Sequence, residues 1–179
     1  RYLAARARRD LLVFYEIDDI SVLVGQEYID KVNHPSPLTR RTTRVIQNSI
    51  RGLTRVKCSL GDAIGGHALT LRFDPRDGGE DELGRYLIDE ALPQIAGRVD
   101  IVGAHLCVTD KPVSSVVTVE RRGRPTIVPN WIVIMEGTSL EAVDSACDAQ
   151  LSEQALHQHG CAGAVERDTY SLQLVRPKA

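Results

Sequence analysis

Three stretches of this chain share one design, a short apolar run closed by an acidic or proline stop. Residues 11–18 (LLVFYEID) and 131–138 (WIVIMEGT) are the most alike, with Glu16 and Glu136 at equivalent places. Residues 67–74 (HALTLRFD) alternate strictly and are stopped by Pro75. Period-two runs of this length and composition read as strands. Each is followed by a segment of helical period and then by a second apolar run. The chain must therefore fold as strand–helix–strand units.

The first helical segment, 18–33, places Ile20, Val24, Ile29 and Val32 on one face. His34-Pro35-Ser36-Pro37 breaks it, because proline disfavours helix for the residue before it. A second stretch, 39–50, continues it. The next helix, 80–96, aligns Leu83, Leu87, Ile88, Ala91 and Ile95 and stops at Gly97. The last has a capping box, Thr138 with Glu141, a stripe of Leu140, Val143, Cys147 and Leu151, and an end at Gly160. Closing strands are predicted at 53–60, 99–109 and 169–175. The first two units together spell the ferredoxin-like βαββαβ order, an α+β antiparallel sheet with helices on one face. The third adds a further βαβ unit, so the chain is predicted as a single α+β domain over 1–179 whose sheet closes into a barrel. The one long connection, 110–129, is expected to be a linker, a hairpin arm or a flap.

Composition narrows the function classes. At 179 residues with 42% hydrophobic and 26% charged residues, the chain can bury a core without disulfides or metals. A net charge of −2 and 4% aromatic residues argue against a nucleic-acid surface. The basic residues Arg1, Arg6, Arg8 and Arg9 read as a solvated tail or first helical turn. Cys58, Cys107, Cys147 and Cys161 have no metal-site spacing and read as buried small hydrophobes in a reducing compartment. No run is long and apolar enough for a membrane span, and a cytoplasmic location is the expectation.

GxSxG, HExxH, GxGxxG and the P-loop pattern do not occur, which argues against serine hydrolases, zincins, dinucleotide enzymes and NTPases at the level of motifs. The remaining candidates are single residues. Alternation along 99–109 puts Val99, Ile101, Gly103, His105, Cys107 and Thr109 on one side. Ala104, Leu106 and Val108 lie on the other, which suits helix packing. His105 would then face away from the helices beside Gly103, where a missing side chain leaves room for a ligand. A core histidine is the competing reading. His67 follows Gly65-Gly66 and reads as packed at a strand end if it shares a face with Leu69, Leu71 and Phe73. His34 with Arg40 and Arg41 could hold a carboxylate or an enolate oxygen, against plain solvation of the arginines. His157 and His159 fit the dipole at a helix end. Glu16 and Glu136 are general bases if buried, or strand ends at the surface. Tyr15, Trp131 and Tyr170 are possible cavity walls. Arg55 and Lys57 share one face of their strand and read as solvent-facing.

The strand around Phe14-Tyr15-Glu16, the helix carrying Glu27-Tyr28 into His34-Pro35, and Gly103-Ala104-His105-Leu106 resemble the dimeric α/β-barrel superfamily over residues 10–110. Residues 130–175 look like a further half-repeat. The resemblance implies a homodimer or paired repeats around a ligand cavity, with no subfamily indicated. Its members include cofactor-independent monooxygenases, isomerases, cyclases, dehydratases and, in some branches, haem proteins. The leading expectation is a cofactor-independent isomerase, lyase or ring-modifying enzyme acting on a small aromatic or enolisable metabolite. His105 would be the acid/base with His67 and Tyr15 lining the pocket, and His34, Arg40, Arg41 and Trp131 would bind substrate. No cofactor and no metal site are expected. The alternatives are a binding protein that does no chemistry, a haem or metal protein, or a dimerisation module.

Overall fold

Strict alternation at His67–Pro75 produces the central strand of a seven-stranded sheet in the computed structural model, which describes residues 1–23, 25–46, 52–110 and 131–176. The elements run β1 (Tyr2–Arg6), β2 (Leu11–Leu12), a 3-10 turn (Ile20–Leu23), α1 (Gln26–Asn33), α2 (Pro37–Val45), β3 (Thr54–Leu60) and β4 (His67–Pro75). Then follow α3 (Glu80–Arg85), a π-helical stretch (Tyr86–Ala91), α4 (Leu92–Ala96), β5 (Ile101–Thr109), β6 (Trp131–Gly137), α5 (Leu140–Gln150), α6 (Glu153–Gln158) and β7 (Cys161–Leu172). Strand order is β2-β1-β7-β4-β6-β5-β3. The pairs β1–β2, β1–β7, β4–β7, β4–β6 and β5–β6 are all antiparallel. The protein is thus an α+β fold with an open antiparallel sheet and helices on one face.

The inner order β7-β4-β6-β5 is the 4-1-3-2 arrangement of a βαββαβ unit, and it spans His67 to Leu172. The ferredoxin-like pattern is therefore made by the second and third predicted units, not by residues 10–110. β1 and β2 extend it on one edge and β3 on the other. The basic N-terminal stretch is not a tail. Tyr2 is buried, Arg6 pairs with Asp144 and Arg8 with Glu166, so backbone pairing and opposite charge hold it in the sheet. Conversely, the strand predicted over 11–18 contracts to Leu11–Leu12, and the residues after it are exposed.

Contacts divide the chain into two compact units. The larger comprises Arg1–Phe14, Val56–Val108 and Pro129–Ala179, and the smaller Tyr15–Arg55 and Thr109–Val128. In the smaller unit Ser36 caps α2 by accepting from the Thr39 N–H at 3.1 Å, and Arg55 pairs with Asp110 at 2.8 Å. The predicted helix 39–50 is helical to Val45, and Val24, residues 47–50 and the connection 111–129 lie outside the described residues.

In the larger unit the helix face is apolar. Leu69, Leu71 and Phe73 of β4, Trp131, Val133 and Met135 of β6, and Ala104 and Leu106 of β5 pack against Leu83, Leu87, Leu92, Ile95, Val143 and Leu156 from the helices. Each fully buried Leu or Ile of this kind contributes about 1.5–3 kcal/mol by leaving water. The 80–96 helix is continuous in path, with a π-helical stretch before Pro93. Proline cannot donate to the carbonyl four residues back, and the wider turn accommodates that gap. The last helix begins one residue later than the capping-box reading, with Ser139 accepting from the Ala142 N–H at 3.1 Å. It also breaks at Leu151, where Ser152 caps α6 by the same means at 3.2 Å. None of the described helices is long and apolar enough to cross a membrane.

Candidate active site

The sheet face away from the helices carries Gly103, His105 and Cys107 of β5, Ile132, Ile134 and Glu136 of β6, and Ala68, Thr70 and Arg72 of β4. A bulge sets this register. Two residues of β5 oppose one step of β6 between Ile101 and Gly103, so Ile101 joins the helix-side core while Gly103 and His105 face the other way. The alternation read from sequence, which put Ile101 on the His105 side, is corrected by that one extra residue.

On this face four side chains from four strands form a chain of contacts. Ser59 of β3 lies 2.9 Å from His105 Nδ1 through its Oγ. His105 Nε2 lies 3.8 Å from Glu136 Oε2, an ion-pair separation. Glu136 accepts a short hydrogen bond from the Tyr2 hydroxyl at its other oxygen. Tyr2 also donates to the Gly65 carbonyl at 3.3 Å. Exposure falls along the chain: Ser59 is exposed, the His105 side chain is 21% exposed, that of Glu136 7%, and Tyr2 is buried.

Two glycines make this geometry possible. A Cβ on Gly103 would come within 2.8 Å of His105 Nε2, so the missing side chain is what lets the imidazole lie back along its strand toward Glu136. A Cβ on Gly65 would meet the Gly137 backbone at 2.6 Å, and without one the turn before β4 presses against β6 and aims the Gly65 N–H at the Glu136 carboxylate.

Burial pushes the Glu136 carboxyl up, but contacts from His105, Tyr2 and the Gly65 N–H outweigh it and hold it below the ordinary carboxylate range. Glu136 is thus a buried anion. Burial, reinforced by Glu136, pushes the Tyr2 phenol far above its ordinary value, so Tyr2 is a fixed neutral donor. With Glu136 ionised, the arrangement favours the proton on His105 Nε2, which leaves Nδ1 as an acceptor toward Ser59.

Further along the same face Arg72 pairs with buried Asp168 and lies 3.5 Å from Glu166. The Arg8 backbone N–H donates to Asp168 at 2.8 Å. Tyr170 is buried in a small cluster with Tyr2 and Ala68. Among the described residues no group of three His, Cys, Asp or Glu side chains is placed to hold a metal ion. No disulfide joins the four cysteines, three of which are buried, and burial pushes Cys147 and Cys161 up to about 11.

Two of the other predicted site residues, His67 and Trp131, lie on the opposite face of the sheet from His105. His67 shares the helix side with Leu69 and meets Ser171 at 3.3 Å through Nδ1, so it lies on the opposite sheet face. Trp131 is packed in the helix-side core and is likewise on the wrong face to line a site with His105, because its register matches Phe73 and Val108. Tyr15 is 86% exposed and belongs to the smaller unit, as do His34, Arg40 and Arg41. His34 ends α1 with Nδ1 3.1 Å from the Asp30 carbonyl, and Arg40 donates to the Pro35 carbonyl at 3.0 Å. Two participants carry no signal in the sequence: Tyr2 sits in a basic stretch and Ser59 within an unremarkable strand. Glu136, a general base if buried or a surface strand end by its sequence, is buried. The signal for Glu136 was its position in the most apolar strand of the chain, where a lone carboxylate needs partners.

No family model matches the chain, and no curated protein matches it. Solved structures do. An anthrone oxidase-like protein aligns with a TM-score of 0.55 at 18% identity over 84% of this chain and 68% of its own. A candidate monooxygenase from Fusobacterium nucleatum aligns at 0.53 and 8% identity over 84% of this chain and 62% of its own. A regulator of staphylococcal pathogenesis aligns at 0.50 and 8% identity over 71% of each. At such identities the likeness concerns the fold, and what this chain shares with these proteins is an α+β, barrel-like antiparallel sheet with helices on one face.

Proposed function

We propose that this chain is a cofactor-independent enzyme that moves a proton on a small aromatic or enolisable molecule, an isomerase, lyase or ring-modifying enzyme, with His105 as the acid/base. One observation carries the reading: a partly exposed imidazole is backed at Nε2 by the buried, ionised Glu136 at 3.8 Å. When Nδ1 accepts a proton from a carbon acid, Glu136 compensates the positive charge that forms, and Tyr2 with the Gly65 N–H keeps that carboxylate in place. The name of one protein of like fold supports the chemistry, since an anthrone is a carbon acid whose ring CH2 enolises toward its carbonyl. The reading includes a homodimer in the cytoplasm, which light scattering on the purified protein tests in its first part.

The test is hydrogen–deuterium exchange at an acidic carbon, with anthrone in D2O as the probe. His105→Gln should slow the catalysed exchange by about 10²–10⁴-fold. Exchange that is unchanged in both His105→Gln and Glu136→Gln overturns the proposal. A binding protein without turnover is the second reading, and what favours it is that Nδ1 is already engaged by Ser59 at 2.9 Å. Saturable binding of the probe with no faster exchange than in buffer would select it.

A further inference from the structure

We infer that Ser59 is a nucleophile of this site, with His105 as its general base and Glu136 as the orienting carboxylate, and that it takes up acyl or phosphonyl groups from activated esters. The motif that marks serine hydrolases in sequence is absent, yet such a constellation is defined by geometry and roles, not by chain order. Here β3, β5 and β6 each deliver one member.

The separation from Ser59 Oγ to His105 Nδ1, 2.9 Å, lies within the reach required between a nucleophile and its base. The base is in turn oriented by a third group, Glu136, which two donors hold in place. The tautomer that Glu136 selects leaves Nδ1 free to take the serine proton. The exposure gradient runs the right way, with the nucleophile exposed at one end and the carboxylate buried at the other. A serine placed only to satisfy a histidine would not need a buried anion behind that histidine.

Ser59 Oγ attacks the ester carbonyl, its proton passes to Nδ1, and the tetrahedral oxyanion collapses with loss of the alcohol or phenol, which takes the proton from the imidazolium. Water then attacks the acyl-serine by the same route and regenerates the hydroxyl. Lys57 shares the Ser59 side of β3, since Cys58 and Leu60 between and beyond them pack on the helix-side core. Two residues along a strand is about 7 Å, within reach of a lysine side chain. A positive charge on that side of β3 favours acyl groups that carry a negative charge.

This activity goes beyond the proton transfer proposed above and shares His105 with it. The test treats the whole chain with an alkyl phosphonofluoridate and follows the adduct by intact mass and peptide mapping. The Ser59–phosphorus bond forms, the phosphorus–fluorine bond breaks, and the hydroxyl proton leaves through His105 with fluoride. The expected result is one adduct on the Ser59 peptide, none in Ser59→Ala, and a rate at least about 100-fold lower in His105→Gln. No adduct on Ser59 at pH 8 after prolonged incubation overturns the inference, as does labelling at equal rate in His105→Gln. The two proposals fail separately. Labelling without carbon-acid exchange sinks the proton-transfer reading alone, and exchange without labelling sinks the nucleophile alone.

Discussion

The two faces of this sheet use the same strands for different ends. On the helix side, alternate residues of β4, β5 and β6 are Leu, Val, Phe, Met and Trp, and their partners are helix side chains of the same character. One residue along on each strand, the other face presents Thr70, Arg72, His105, Glu136 and, from β7, Asp168. Burial on the first face is non-directional, so one apolar residue replaces another at modest cost. Burial on the second demands a partner for every charge, and each is supplied from a different strand. The apolar face therefore fixes the fold, and the polar face inherits a geometry that it could not hold alone.

The largest effect expected from that division belongs to Gly103→Val. The new side chain would occupy the place of the imidazole, which a Cβ alone would approach to 2.8 Å. Catalysed carbon-acid exchange and Ser59 labelling should both drop at least about 100-fold while the far-ultraviolet circular dichroism stays native. A variant that keeps both activities would show that His105 does not need its present position.

Next comes a pair of truncations, one on each face. Leu87→Ala removes a fully buried side chain from the helix-side core and should cost about 2–5 kcal/mol in denaturant unfolding without changing the pH profile of activity. Arg72→Met strands the Asp168 carboxylate, whose side chain is 1% exposed, and should cost about 3–5 kcal/mol. Asp168→Asn in the Arg72→Met background should recover part of that loss, because the unpaired charge is then gone. No recovery would mean that the pair matters through packing and not through charge.

A smaller effect, about 1.5–3 kcal/mol, is expected of Tyr2→Phe, which deletes a hydrogen bond to a charged group. Its pH signature is specific. The folded Glu136 carboxyl titrates below its ordinary value, so its stabilisation is present above that value and is lost as pH falls through the folded one. Removing the Tyr2 donor should move that acid limb to higher pH, as read by unfolding midpoints between about pH 3 and 6. Tyr2 has the opposite sign. Its folded value is raised, so its contribution holds below about pH 10 and fades as pH rises above it. Burial also raises the phenols of Tyr86 and Tyr170, so absorbance at alkaline pH should show one tyrosine fewer held back from ionisation in Tyr2→Phe than in the native chain.

Residues 11–18 and 131–138 look alike in sequence and end in different environments. The two segments share an apolar run and a glutamate at the same place. One became β6, flanked on both sides by strands, and its Glu136 is buried. The other keeps two strand residues at the sheet edge, and Glu16 is exposed. Local pattern cannot distinguish them, because the difference lies in how many neighbours each strand finds. The same holds for Tyr2, whose burial depends on β7 and on a carboxylate 134 residues away.

The sequence by itself determined the α+β class, the strand–helix alternation, and the turn of His105 away from the helices beside Gly103. Those follow from period, stop residues and the space a glycine leaves, all of which are local. Only the tertiary structure decided which units pair as the βαββαβ core, where the β5 bulge shifts the alternation, and that Ser59, His105, Glu136 and Tyr2 meet. That meeting joins four strands drawn from both ends of the chain, and a buried carboxylate acquires its partners only when long-range pairing brings them within hydrogen-bond reach.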